Sequence, residues 1–294
     1  MHASLRNFFQ DHISSKNFAE PSEDDSALLL DAFKLPPEEA IKLFESKGYK
    51  ITWSWNDMLR EAHAKAFTIA KCMKFDILRD IRNEVEKAIK EGTTLKTFQD
   101  NLVPVLQTKG WWGKRLPADV PRDDNQPMRN GNKPVQLGSA WRLETIFRTN
   151  IQTSYMAGRY KALKDTAGAR PYWQYIAILD KATRPAHAAM HGRIYRHDDP
   201  IWNKWYPPAG YNCRCRIRSL SEYEIEKMGL IDKIRDTHLD GMPNEKPDVG
   251  WDYNPGEAGA KHLEELARHK QTTLEALLPK SVVLVKPEAK TDIS

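Results

Sequence analysis

The hydrophobic pattern of this chain changes its period close to Pro171, and this change restricts the possible folds more than any other feature. Before Pro171, apolar residues recur at spacings of three and four, which is typical of amphipathic helices. Residues 172–179 instead form a continuous aromatic and β-branched run, YWQYIAIL, which predicts a buried strand. Helices followed by strands indicate an α+β fold, in which a mostly helical N-terminal region precedes a small mixed α/β module with a short β-sheet.

Before this strand, five helices are predicted, and their ends are marked by residue types that favour the start or the end of a helix. Ser, Thr, Asp and Pro favour helix starts, and Gly favours the left-handed position after the last turn. Two further short strands are predicted at 193–195 and 215–218, and a late helix at about 257–278. The early helices are predicted from Pro36 to Gly48, from Asp57 to Met73, from Asp76 to Gly92, from Thr94 to about Gly110 and from Ser139 to about Ala167.

Changes in composition divide the chain into five predicted segments. Polar residues with little periodicity mark the N-terminus, and Pro, Asp, Asn and Gly interrupt the middle and the C-terminal part. The segments are a flexible N-terminal arm (1–34), a helical region (35–110), a long loop (111–138), an α+β module (139–230) and an extended C-terminal tail with one helix (231–294).

Charge and cysteine content narrow the classes of protein. The net charge of +5 permits contact with nucleic acid without requiring it, because basic and acidic residues are nearly matched. No apolar run approaches the ~20 residues of a membrane span, and the polar, acid-containing N-terminus does not resemble a secretory signal. Three cysteines do not form a disulfide framework, so synthesis in a reducing cytoplasm is expected, with Cys72 as a buried, inert thiol.

The most specific signals lie between residues 180 and 256. The chain reads DKATRPAH at 180–187, PPAG at 207–210, CRCR at 213–216 and WDYNPG at 251–256. Upstream, distinctive residues include those from Trp55 to His63, FTIA at 67–70, Phe98 and GWWG at 110–113.

The order and spacing of these motifs resemble the head-morphogenesis domain of phage Mu protein F-like minor head proteins over roughly residues 35–256. The resemblance implies that 139–230 is a head-morphogenesis module and that the chain is a structural minor head (capsid) protein of a tailed bacteriophage. It implies a location in the virion near the portal vertex after synthesis in the host cytoplasm. The implied partners are the portal protein and capsid subunits, with packaged DNA as a further candidate, and no membrane or enzymatic activity is expected.

Four residues between 180 and 256 are candidate ligands of a structural zinc ion, because imidazole and thiolate groups suit this cation. His191 and His197 are alternatives to the carboxylate as the fourth ligand. More cysteine-rich relatives in the wider family resemble a fuller site, but Arg184, His187 and Gly210 stand here at its positions. The alternative is that both thiols are small buried side chains and that the histidine hydrogen-bonds the aspartate. The candidate ligands are His187, Cys213, Cys215 and Asp180.

Two sets of side chains are candidate contacts to partners or DNA. Alternating arginines near the CRCR motif can bind phosphates, pair with acids on a partner or lie in solvent. Tryptophans often anchor protein interfaces, and the alternative is that they close the core under long loops. The candidates are Arg214, Arg216, Arg218, Trp111, Trp112, Trp202 and Trp205.

A second class of function remains open, a metal-dependent enzyme such as a nuclease or hydrolase. His187 and His191 have the spacing of a zinc protease helix, but Ala188 stands where that motif needs a glutamate. Asp180, with the pair at 198–199, offers carboxylates for a hydrolytic metal, although such residues more often form turns. A DNA-binding protein packaged in the head is the third hypothesis.

Overall fold

The structure, a computed structural model, describes residues 38–123 and 132–277, so the predicted arm at 1–34 lies outside the described residues. Long helices are combined with small sheets of two or three strands, which confirms the α+β prediction. The helices are α1 (Glu38–Ser46), α2 (Ala62–Lys65), α3 (Phe75–Glu91), α4 (Leu95–Thr108), α5 (Ala140–Asp165), α6 (Pro185–Met190), α7 (Trp202–Trp205), α8 (Glu222–Lys227), α9 (Thr237–Asp240) and α10 (Pro255–Leu277).

The largest sheet among the described residues has three antiparallel strands. The strands are β1 (Gly48–Tyr49), β2 (Ala66–Phe67), β3 (Lys114–Arg115), β4 (Val135–Gln136), β5 (Tyr172–Ile176), β6 (Ile194–Arg196) and β7 (Arg216–Leu220). In the largest sheet, β5 is central and pairs with β6 on one side and β7 on the other. Two shorter pairs lie elsewhere, β1 parallel to β2 and β3 antiparallel to β4.

Local caps define three of the helices at the predicted ends. The hydroxyl of Thr94 accepts a hydrogen bond from the Thr97 amide at the start of α4, and the Ser139 hydroxyl accepts one from Arg142 at the start of α5. Gly92 follows α3 in the left-handed conformation, with φ of 65°, which glycine adopts at little cost. The predicted Asp76 cap is off by two residues, since Lys74 precedes the first turn.

The predicted helix from Asp57 to Met73 is wrong. Only the four residues of α2 are α-helical there, and β2 then pairs with β1 in extended conformation. Phe67 and Ile69 are both buried, as alternate residues of an extended segment are. The apolar residues of this segment, whose spacing indicated one helix face, therefore belong to a short helix and to a strand that pairs with a distant segment.

Helix α5 belongs to two hydrophobic cores. Its first half contributes Leu143, Phe147 and Ile151 to a core that contains α3 and α4 side chains. Its second half contributes Met156 and Leu163 to a core built on the three-stranded sheet. The N-terminal helical region and the α+β module consequently share one continuous helix.

Three of the four candidate tryptophan contacts are core residues, so their prediction as partner contacts is wrong. Trp111, Trp202 and Trp205 are at most 2% exposed, which leaves their rings no surface for a partner. Trp111 donates from Nε1 to the Lys71 carbonyl at 2.8 Å. Trp112 is half-buried against the same core as Trp111, and its role as a contact stays a prediction.

The predicted loop and tail contain more structure than their composition indicated. β3 and β4 form a hairpin-like pair inside 111–138, of which 124–131 lie outside the described residues. In the tail, Trp251 and Tyr253 are buried, and α10 packs against α1 and α5. The ring of His262 lies with Nε2 3.2 Å from the Ser46 carbonyl, so the tail returns to the first described helix.

Candidate metal centre

Three of the four predicted ligands meet in one buried cluster. His187 Nδ1 lies 3.6 Å from the sulfur of Cys213 and 3.5 Å from the sulfur of Cys215. The ligand atoms of all three residues lie within 4.8 Å of one another. The three side chains are at most 6% exposed, so the cluster is shielded from bulk water.

Two short segments bring the ligands together. Pro185 occupies the first turn of α6, where proline fits because no amide hydrogen is needed, and the helix carries His187 inward. Cys213 and Cys215 flank one residue just before β7, and alternate residues of an extended chain face the same way. All three cysteines of the chain are free thiols.

The segment that carries the two cysteines, residues 212–215, is hydrogen-bonded to helix α5. Asn212, in the left-handed conformation with φ of 56°, lies within hydrogen-bond distance of the hydroxyls of Thr145 and Thr149. The Gln152 side chain donates to the Cys215 carbonyl at 2.8 Å. These contacts fix the position of both sulfurs relative to the long helix.

Aromatic rings close the cluster on another side. The Trp205 ring packs edge-on against His187 and Tyr175, with centroid distances of 5.9 Å in both cases. The Tyr175 hydroxyl is buried beside Cys215 without a well-formed hydrogen bond. His187 Nε2 is likewise buried without a partner. Burial of a polar atom without a hydrogen-bond partner costs about 1–3 kcal/mol of folding free energy.

The two thiols have opposite acidities. Burial alone would raise the pKa of Cys213, but hydrogen bonds from Cys215 and His187 and the charge of His187 outweigh it, so the pKa lies well below its usual value. The pKa of Cys215 is raised, chiefly because it donates its hydrogen to Cys213 and also because it is buried. The cluster thus favours one thiolate, the form of cysteine that binds metals.

Asp180 lies outside the cluster, so the predictions that it is a metal ligand and that it hydrogen-bonds His187 are both wrong. Its two carboxylate oxygens accept from the Arg214 guanidinium at 2.7 and 2.5 Å. The hydrogen bonds from Arg214 lower the pKa of Asp180, against the effect of partial burial. The same carboxylate accepts from the amide of Ala182 and the hydroxyl of Thr183.

The two alternative histidines also lie elsewhere. His191 accepts at Nδ1 from the Ala177 amide at 3.1 Å. His197 stacks obliquely on Trp173 at 6.1 Å between ring centroids. Neither belongs to the group around His187, and among the residues that the structure describes this group gains no fourth Cys, His, Asp or Glu ligand.

The carboxylates proposed for a hydrolytic metal form turns instead. Asp198 pairs with Arg196. Asp199 is buried and accepts from the Ile201 amide and from both the amide and the hydroxyl of Thr237. Each carboxylate therefore has a structural partner of its own.

The three candidate arginines differ in their surroundings. Arg214 is committed to Asp180, while Arg216 and Arg218 lie half-buried on strand β7. One nitrogen of Arg218 lies 3.3 Å from the Met228 sulfur. Contact between these arginines and DNA or a partner stays a prediction.

Sequence reasoning missed several residues around the centre and on the surface. Tyr175 and Asn212 had a signal, since Tyr175 lies within the strand run and Asn212 directly precedes the first cysteine. Gln152 had none, because only the packing of α5 brings it to Cys215. Trp141, at 68% exposed, offers far more surface to a partner than Trp111, Trp202 or Trp205.

Comparison with known proteins gives a consistent family assignment. Residues 79–218 match the family described as "Phage Mu protein F like protein". The chain is 41% identical over 278 residues to the "Putative capsid assembly protein F" of Escherichia phage Mu, covering 86% of this chain and 61% of that protein. It is 46% identical over 208 residues to the "Mu-like prophage FluMu F protein" of Haemophilus influenzae, covering 70% of this chain and 46% of that protein.

The matches extend over part of each relative. The chain spans about half to three fifths of the length of the two relatives. No solved structure matches it significantly. Within 38–123 and 132–277, none of the helices combines the length and apolarity needed to cross a bilayer. The matched region includes α4, α5, strands β5 and β6, the first three residues of β7 and the His187, Cys213 and Cys215 cluster. This part of the chain belongs to the phage Mu protein F-like family.

Proposed function

We propose that this chain is a structural minor head protein that acts in phage head morphogenesis near the portal vertex, with the portal protein and capsid subunits as its partners. The observation that carries this proposal is the 41% identity, over 86% of the chain, to a phage Mu protein whose name describes capsid assembly. The family match over 79–218 supports the same role.

The contacts made by the candidate site residues agree with a structural role in the phage head. The carboxylates and histidines that a hydrolase would need are used to hold turns and strands, as described for Asp180, His191 and Asp199. Exposed aromatic rings such as Trp141 and Tyr223, each 68% exposed, are available for contacts between proteins. We therefore propose a non-enzymatic role, in which surfaces of the folded chain contact other head components.

A deletion experiment tests the proposal. In a phage that encodes this chain, an in-frame deletion of the gene should reduce filled heads strongly, and complementation with the wild-type gene should restore them, as counted by electron microscopy. A control complementation with Lys96→Gln, an exposed change on α4, should restore heads equally. Normal numbers of filled, infectious heads without the protein would refute a role in head morphogenesis.

A further inference from the structure

We propose that His187, Cys213 and Cys215 bind one zinc ion per chain through Nδ1 and the two sulfurs. The donor set is chemically suited to zinc, since thiolate and imidazole are its usual protein ligands. The proposal stands on the cluster itself and is independent of the proposed role in the head.

The distances within the cluster are those of a tetrahedral site. Bonds of about 2.3 Å to sulfur and about 2.0–2.1 Å to nitrogen, at an angle of about 109°, place the two ligand atoms about 3.5–3.6 Å apart. The observed separations of Nδ1 from the sulfurs of Cys213 and Cys215 are 3.6 and 3.5 Å. Both nitrogen–sulfur distances thus match those of a tetrahedral zinc site.

Hydrogen bonding alone explains the arrangement less well. Nδ1 of His187 has a single hydrogen or lone pair in one direction, so it cannot form a linear hydrogen bond with two sulfurs at once. Nevertheless both sulfurs lie at similar distances from it, 3.6 and 3.5 Å. A cation between the three atoms gives each of them a bond.

The surroundings supply a second observation. The Tyr175 hydroxyl is completely buried beside Cys215 and has no well-formed hydrogen bond. A metal-bound thiolate is a strong acceptor, and hydrogen bonds to the ligands are usual in metal sites. Among the described Cys, His, Asp and Glu residues, three provide ligands, and we assign the fourth tetrahedral position to a water molecule.

Zinc would act here as a cross-link. His187 lies on α6, whereas the cysteines lie 26 and 28 residues later, just before β7. The metal would join the segment after β5 to the segment before β7, and so it would stabilise the module. Binding energy at such sites adds directly to folding stability.

Metal analysis of the full chain tests the proposal. After expression with added zinc and gel filtration in metal-free buffer, inductively coupled plasma mass spectrometry should find about one zinc per chain. The Cys72→Ala variant is the matched control, because Cys72 is a buried free thiol outside the cluster, and it should keep the zinc. Cys213→Ala and His187→Ala should lose at least about nine tenths of it.

A spectroscopic measurement keeps the test valid if those variants fail to fold. The wild-type chain, stripped of metal and loaded with Co²⁺, should show a sulfur-to-cobalt charge-transfer band together with the strong visible bands of a tetrahedral ion. Stoichiometric Zn²⁺ should abolish these bands. A folded wild-type chain that holds below about 0.1 zinc per chain and gives no such bands with cobalt would overturn the proposal.

Discussion

Arg82 shows how one buried charge closes the first helix. One nitrogen of its guanidinium lies 3.2–3.3 Å from the carbonyls of Phe44, Glu45 and Lys47, at the C-terminal end of α1, where carbonyls lack the amide partners of a continuing helix. Another nitrogen pairs with Glu86. The group therefore replaces the glycine cap that ends many helices, and it ties α1 to α3.

Replacement of Arg82 by methionine tests this interaction. The Arg82→Met variant keeps the aliphatic volume but removes the hydrogen bonds to the carbonyls at the end of α1 and the ion pair with Glu86, so it should lower the free energy of unfolding by about 2–4 kcal/mol. Arg79→Met is the matched control, since Arg79 is exposed on the same helix, and it should change stability by less than about 0.5 kcal/mol. Urea denaturation measures both, and equal losses would contradict the assignment.

His63 gives the fold a dependence on pH. Burial lowers its pKa from 6.5 to about 4, and the nearby charge of Lys47 acts in the same direction. The folded chain therefore keeps His63 neutral at pH values where the unfolded chain already binds a proton. Stability from this residue is complete above pH 6.5 and falls as the pH drops from about 6.5 to about 4.

A His63→Gln variant isolates this effect from that of the carboxylates. The wild type should lose about 2 kcal/mol more than the variant between pH 7 and pH 4, because glutamine does not titrate. Thermal or urea unfolding across this range measures the difference. Parallel stability curves for the two proteins would show that His63 titrates normally in the folded chain.

At the level of elements, α5 depends on a close approach to α1. A Cβ atom at Gly158 would lie 2.9 Å from the backbone nitrogen of Ala40, which cannot move as a side-chain tip can. Glycine at this position on α5 therefore allows the two helices to pack backbone against backbone.

Exchange of this glycine for alanine should show the constraint. Gly158→Ala should destabilise the protein by about 1–2 kcal/mol, since the clash exceeds the gain of about 1 kcal/mol in helix propensity. Gly168→Ala is the control, because a Cβ there meets nothing within 4 Å and the glycine has no positive φ. Differential scanning calorimetry compares them, and a stabilised Gly158→Ala variant would argue against the tight contact.

The elements that could be predicted from the sequence are those decided by neighbouring residues. The caps at Thr94 and Ser139 act within their own first turns, and Gly92 ends α3 by its own conformation. The prediction for segment 57–73 was wrong because β2 is formed by pairing with β1, about 18 residues earlier in the chain. Its apolar spacing carries no information about that partner.

The same distinction applies to the candidate site. The chemistry of His187, Cys213 and Cys215 was readable from residue type, and an extended segment explains why the two sulfurs face the same way. The position of Asp180 was not readable, because Arg214, between the cysteines, attracts the carboxylate away from the histidine. The choice between two partners for one acid is made by three-dimensional packing.

For the whole molecule, the continuity of the cores matters most. Helix α5 serves both the helical region and the sheet module, and α10 returns from the C-terminal part to contact α1 and α5. The described residues therefore support one another across the predicted segment boundaries. This arrangement agrees with the proposed role, in which fixed surfaces of the chain contact other head components.

Quantitative mass spectrometry of purified heads tests the proposed role most directly. Isotope-labelled peptides of this chain and of the main coat protein give the number of copies per particle. The account predicts that the protein is present in heads in a few copies, far below the coat protein, and co-purifies with the portal. Its absence from heads and from every assembly intermediate would contradict a structural role in the particle.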